Sequence, residues 1–171
     1  MAEKHACGSP EAALTRLMQN YEKEVVKLCF LYLHDLTLAE DAAQETFLKA
    51  YRAWNRFRGD CAEKTWLMRI AINTCKDVRR TAWHRLVDRR VALEKLPPPA
   101  EPPREENVLI TLEVMNLPAR EREAVLLRCY QGMTVNETAQ ALRISPTAVS
   151  KRLKKAFDKL RSLGEGGGEN D

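Results

Sequence analysis

Apolar residues recur along this chain at intervals of three and four, the spacing of amphipathic helices. Valine and isoleucine occur, but never in a period-2 run bounded by turns, so the pattern predicts helices nearly throughout. Several starts carry a cap. Ser9-Pro10 places a capping hydroxyl and a first-turn proline before Glu11. Thr37 with Glu40, Asp60 with Glu63, and Thr134 with Glu137 have the capping-box spacing or its Asp variant, in which cap and acid each satisfy a free amide donor. Ser145-Pro146 opens a last helix as Ser9-Pro10 opens the first.

The pattern breaks at Val91–Glu106, which holds Pro97-Pro98-Pro99 and Pro102-Pro103. Proline runs cannot continue a helix and favour an extended, semi-rigid strand of chain. The expected architecture is therefore all-α, in two small helical domains. The first covers residues 9–90, a Pro-rich linker 91–106, and the second, a helix-turn-helix, 107–163. The Gly-rich stretch 164–171 is expected to be a disordered tail.

In the first domain, the helix predicted over Thr37–Phe57 gathers Ala43, Phe47, Ala50, Tyr51 and Trp54 on one face, an ordinary core stripe. Asp41, Glu45, Leu48 and Arg52 gather on another, with Gln44 at its edge, and periodicity alone makes that a solvated face. The next helix, Cys61 to about Thr81, is expected to bury Leu67, Ile70, Ala71, Thr74 and Val78. Its other side aligns Arg69, Asn73, Lys76 and Arg80. A row of cations with an Asn, close to Trp66, suits phosphates and an exposed base as well as it suits water. The preceding loop, Phe57-Arg58-Gly59-Asp60, joins an aromatic, a cation, a flexible Gly and a carboxylate; a plain helix-to-helix turn needs no more.

In the second domain, Leu117–Glu123 opens a helix with Val125, Leu126 and Cys129 as its apolar positions, and Gly132 offers a positive-φ stop. Thr134–Leu142, the turn Arg143-Ile144-Ser145 and Pro146–Leu163 have helix-turn-helix spacing. Val149, Leu153, Ala156, Phe157 and Leu160 form the expected buried stripe of the last helix. Thr147, Lys151, Lys154 and Lys155 point away from it, with Ser150 and Arg152 on the flanks.

The 171 residues carry a formal net charge of only +4. Its placement matters more: the two helical domains are basic, while the linker and tail are acidic, a footprint expected of a nucleic-acid binder. No apolar run approaches the ~20 residues of a membrane span, and the first residues do not resemble a secretory signal. The expectation is a cytoplasmic protein without direct membrane insertion. Five cysteines with no C-x-x-C pair read as free thiols. His5 and Cys7 are too few to make a metal site. With no Gly-rich phosphate loop and no nucleophile–base arrangement, neither an enzyme nor a cofactor is expected.

Three ordered stretches, Asp41-Ala42-Ala43-Gln44-Glu45-Thr46-Phe47, Trp54-Asn55-Arg56-Phe57-Arg58-Gly59 and Thr65–Asn73, resemble region 2 of the extracytoplasmic-function (ECF) sigma factors of bacterial RNA polymerase. Leu117-Pro118 with Arg122-Glu123, Gly132-Met133-Thr134 with Glu137 and Ala139, and Ser145–Leu153 resemble region 4 of the same family. The resemblance implies that Asp41, Gln44, Glu45, Leu48 and Arg52 dock on the β′ clamp of core RNA polymerase, the second body meeting the β flap. It implies that Phe57, Arg58, Asp60, Trp66, Arg69, Asn73, Lys76 and Arg80 open and read the −10 element of promoter DNA. Thr147, Ser150, Lys151, Arg152, Lys154 and Lys155 would meet the −35 element. It implies an anti-sigma partner, often membrane-bound. Ala148 and Lys154 depart from the common pattern, so the base preference does not carry over. The competing reading, a stand-alone helix-turn-helix regulator, accounts for the second body but leaves the first three stretches unexplained.

Overall fold

The computed structural model describes residues 8–88 and 113–165; the linker 91–106 and residues 166–171 lie outside the described residues, as does Cys7. Every regular element among the described residues is helical.

Helix α1 (Pro10–Leu33) is capped by Ser9, whose hydroxyl accepts from the Ala12 amide at 3.3 Å, and ends at His34 in the left-handed region. It buries Leu17, Val25, Leu28, Leu31 and Tyr32. Helix α2 (Leu36–Ala53) begins earlier than the expected Thr37 cap. Asp35 has the extended backbone an N-cap requires, and its carboxylate accepts from the Leu38 amide at 2.8 Å, which leaves Thr37 inside the first turn. A single 3₁₀ turn, Trp54–Arg56, closes α2.

Helix α3 runs from Glu63 to Asp88. It starts after both Cys61 and the Asp60 expected as its cap. The amide of Trp66 bonds to the carbonyl of Ala62 at 3.0 Å, so the first turn closes there. Its core residues are Leu67, Met68, Ala71, Ile72, Thr74 and Cys75, while Ile70 and Val78 are only half-buried. The stripe is rotated from the one expected because α3 is covered on two sides, by α1 and α2 and by the second body.

In that body, α4 (Ala119–Val125) passes directly into a π turn, Leu126–Tyr130, closed by Gln131 N donating to Leu126 O at 3.0 Å. A π turn is wider than an α turn and shifts the face that follows it. Cys129, expected among the apolar positions, is exposed. Gly132, at φ 64°, stops the helix as its left-handed conformation allows. Helix α5 (Val135–Leu142) carries the full capping box: Glu137 N donates to Thr134 Oγ1 at 3.1 Å, and Thr134 N to Glu137 Oε2 at 2.7 Å. Such caps contribute about 1 kcal/mol, a large share for so short a helix. Helix α6 (Pro146–Glu165) starts with Ala148 N donating to Ser145 Oγ at 3.1 Å. It buries Val149, Leu153 and Ala156; Phe157, expected in the same stripe, is 43% exposed.

The two bodies are folded against each other. Helix α5 rests on α3, and the buried apolar residues of both bodies join in one continuous core.

Candidate nucleic-acid interface

The outer face of α2 presents Asp41, Gln44, Leu48 and Arg52 to solvent, with Glu45 half-buried beside them. Ala42, Ala43, Thr46, Phe47 and Ala50 hold the opposite side in the core. Next to this face lies an open groove of about 470 Å³, floored by Leu14, Met18, Val26 and Phe47 and edged by Gln44 and Leu48. Met18 and Leu48 are large apolar residues left 38% and 45% exposed. Sequence periodicity could not place the groove, since half of its wall comes from α1.

The loop after the 3₁₀ turn is set by Gly59 at φ 74°, which any other residue would strain. Trp54, Phe57 and Trp66 form a cluster of tilted rings, with centroids 4.9 Å apart for Phe57–Trp66 and 5.5 Å for Trp54–Phe57. The Arg16 guanidinium lies 5.6 Å from the Trp54 ring and pairs with Glu63 at 2.6 Å, tying the start of α3 back to α1. Desolvation pushes the Cys61 thiol up from its ordinary pKa, so it is not an activated nucleophile.

Phe57, Arg58, Asp60, Trp66 and Arg69 share a cavity of about 350 Å³ with Arg56. Its far wall is formed by Gln140 and Arg143 of the helix-turn-helix. Arg69 donates from Nη2 to the Gln140 carbonyl at 2.8 Å, and its buried Nε has no partner. Asn73, Lys76 and Arg80 are exposed farther along α3 and do not line the cavity. Lys76 reaches Glu123 Oε1 at 3.3 Å and Arg80 pairs with Asp77 at 3.2 Å. The structure thus groups the eight expected residues in two sets along one side of the first body. Arg56 was missed although it precedes Phe57. Arg143 and Gln140 could not be found without knowing how the bodies meet.

In the helix-turn-helix, Arg143 takes the left-handed conformation at φ 54°, and Ile144 N donates to Ala139 O at 3.1 Å to close the turn. Thr147, Ser150, Lys151, Lys154 and Lys155 are exposed on α6. Arg152 is half-buried, and its Nη1 lies 3.9 Å from Glu123 Oε2, so it faces its own body rather than the basic outer surface. Glu123 is the buried hub here, and its carboxylate also accepts from Tyr32 Oη at 3.1 Å. Burial first, and the Glu123 charge second, push the Tyr32 phenol well above its usual pKa. The described residues hold no cluster of His, Cys, Asp and Glu able to bind a metal ion. None of their helices is long and apolar enough to cross a membrane.

Two helical bodies, one of them a helix-turn-helix with a basic outer helix, define the class as an all-α, two-body protein with a helix-turn-helix of the DNA-binding type. Residues 17–85 match the family model for Sigma-70 region 2, and residues 115–162 match that for Sigma-70, region 4. The chain is 32% identical to the RNA polymerase sigma-H factor of Pseudomonas aeruginosa, over 86% of this chain and 84% of that one. It is 30% identical to the ECF RNA polymerase sigma factor SigM of Mycobacterium tuberculosis, over 88% of this chain and 76% of the relative. Among solved structures it is similar to the sigma factor RpoE of Bartonella quintana, in complex with the anti-sigma factor NepR. That match has a TM-score of 0.75 at 20% identity, covering 88% of this chain and 96% of that one. CnrH in complex with the cytosolic domain of CnrY gives a TM-score of 0.68 at 24% identity, over 91% and 90% of the two chains. The chain belongs to the sigma-70 family of RNA polymerase sigma factors, in its ECF subfamily.

Proposed function

We propose that this sigma factor docks on core RNA polymerase through Asp41, Gln44, Glu45, Leu48 and Arg52. It then directs the enzyme to promoters whose −10 and −35 elements it reads with separate bodies. We assign residues 9–90 to the first body and 107–163 to the second, bounds consistent with the family-model matches at 17–85 and 115–162. The observation that carries the reading is the basic outer surface of α6, where Lys151, Lys154 and Lys155 stand opposite the buried Val149, Leu153 and Ala156. A helix so arranged enters a major groove without disturbing its own packing. Lysine contacts bind phosphate as point charges and lack the bidentate fork with which arginine reads guanine.

The Phe57–Asp60 loop, Trp66, Arg69 and Asn73 capture a base that has left the stack. Aromatic contact and edge hydrogen bonds offset the lost stacking, which starts melting without any covalent step. Lys76 and Arg80 hold the phosphates nearby. The protein is not an enzyme and works in the cytoplasm, where the polymerase is. The complex of one structural neighbour, RpoE, with the anti-sigma factor NepR supports a regulatory partner of the same kind here, acting on these surfaces.

Asn73→Ala tests the reading. It should impair promoter opening more than it impairs core binding, as seen by permanganate footprinting of the start-site bubble. An unchanged bubble at equal holoenzyme occupancy would contradict the pocket role.

A further inference from the structure

Four arginines converge on the cavity of about 350 Å³ where the two bodies meet: Arg56, Arg58 and Arg69 from the first body and Arg143 from the helix-turn-helix. Among the described residues, Asp60 alone brings a carboxylate to the lining, and none of the four guanidiniums lies in an ion pair. The Cys61 thiol in the same wall is held above its ordinary pKa by desolvation and adds no second negative charge. Like charges gathered in this way repel one another unless a counter-charge enters among them.

Arg69 is the anchor of this group. Its Nη2 is committed to the Gln140 carbonyl at 2.8 Å, and its buried Nε–H has no acceptor. A buried charged donor left unpaired is costly, and an anionic oxygen removes that cost. The backbone under Arg143 is set by the left-handed turn at φ 54° and that under Arg56 by the 3₁₀ turn, so a ligand needs little main-chain ordering to be gripped. The rest of the wall is aromatic: Phe57 and Trp66, with centroids 4.9 Å apart, line the same space. Aromatic rings suit a nucleobase, guanidiniums grip phosphate oxygens in bidentate pairs, and a carboxylate such as that of Asp60 accepts from ribose hydroxyls. The volume falls within the ~300–1,000 Å³ of small-molecule sites. An inorganic anion leaves the aromatic wall unused, and an apolar ligand leaves the guanidiniums unpaired.

From this geometry we infer that the cavity between the bodies binds a free nucleoside polyphosphate, its base against Phe57 and Trp66 and its phosphates among Arg56, Arg58, Arg69 and Arg143. Arg56 and Arg143 belong to this site alone, since neither is placed at promoter DNA or at the polymerase. Phe57, Arg58, Trp66 and Arg69 are shared with the −10 surface. A nucleotide held there touches both bodies and competes with a base extruded from the −10 element. The competition, though not the binding, rests on the −10 assignment made above. Promoter capture then falls as the nucleotide concentration rises.

Titration calorimetry of the free full-length protein with ATP and with tripolyphosphate tests the site. ATP should bind one to one, and about tenfold more tightly than tripolyphosphate, which has the phosphates but no base to stack. Arg143→Gly, which suits the left-handed turn, and Arg56→Gln should each weaken ATP binding about tenfold through one lost charge-assisted contact, with unchanged affinity for core polymerase. Circular dichroism checks that both variants are folded. The inference is overturned by an absence of saturable ATP binding, or by tripolyphosphate binding as tightly as ATP. It is equally overturned by ATP affinity that both folded variants leave intact. A single-stranded −10 oligonucleotide should displace bound ATP. Failure of that displacement would count against the −10 assignment of the shared residues while leaving the nucleotide site standing.

Discussion

Replacing Arg122 with methionine tests how the two bodies are held, because Arg122 is almost wholly buried yet charged. Its Nη1 donates to the Met115 carbonyl at 2.6 Å and lies 3.3 Å from His34 Nε2. Methionine keeps most of the apolar stem and removes the charge. The charged hydrogen bond contributes ~1.5–3 kcal/mol, and the contact with the Tyr32 ring adds ~0.5–2 kcal/mol. Against this stands the desolvation of a guanidinium whose Nε has no partner, a cost of several kcal/mol that the variant relieves. Because the Met115 carbonyl and the imidazole lose their donor, the net effect should be a destabilisation on the order of 1–3 kcal/mol. The variant should also change the pH dependence. Desolvation first, and the Arg122 charge second, hold the His34 imidazole below its ordinary pKa. The unfolded chain therefore takes up this proton before the folded one does. The stability tied to neutral His34 is complete above about pH 6.5 and falls as pH drops towards the lowered folded value. Part of the His34 surface stays in solvent, so the slope is modest. Urea unfolding at pH 7.5 and at pH 5.5 should show wild-type stability falling across this interval, and the fall should shrink in Arg122→Met. A variant within ~0.5 kcal/mol of wild type, with the same fall, would refute this account of the seam.

Two other outcomes follow from the exposed faces. Reversing Asp41 and Glu45 to lysine should weaken core-polymerase binding while moving stability by no more than ~0.5 kcal/mol; native affinity in that double variant would remove the docking face from α2. Changing Lys151, Lys154 or Lys155 singly to alanine should lower the salt slope of −35 DNA binding by ~1 unit for each phosphate no longer neutralised, and an unchanged slope would mean that these lysines do not reach the backbone.

The helices and most of their ends were legible in the chain because caps are local. Ser9, Thr134 and Ser145 each bond to an amide three residues on. Where a better acceptor lay nearby, the reading slipped, as at Thr37, displaced by Asp35. The surfaces expected on α2 and α6 followed from helical period, which sorts exposed from buried positions whatever covers them. Phe157 and Cys129 show the limit of that method. Phe157 lies at the edge of a stripe whose neighbours Ala156 and Leu160 still pack on the core, and a π turn breaks the period without a signal in composition. The seam between the bodies was illegible for a different reason. Tyr32 with Glu123, Lys64 with Gln131 and Arg69 with Gln140 are single polar residues, each pair separated by more than sixty positions. Each looks, in its own helix, like an ordinary surface or core residue.

The central claim, that one chain reads two promoter elements and only as a subunit of the polymerase, is tested most directly by promoter affinity with and without core enzyme, over a series of spacer lengths. The residues 91–106 can span at most ~50 Å at ~3.1 Å per residue, so both elements are reached together only within a narrow range of separations. Binding should therefore require core polymerase and fall steeply as the spacer departs from its optimum. Nanomolar binding by the free protein, indifferent to spacer length and to the −10 sequence, would contradict the account and return the chain to the class of stand-alone helix-turn-helix regulators.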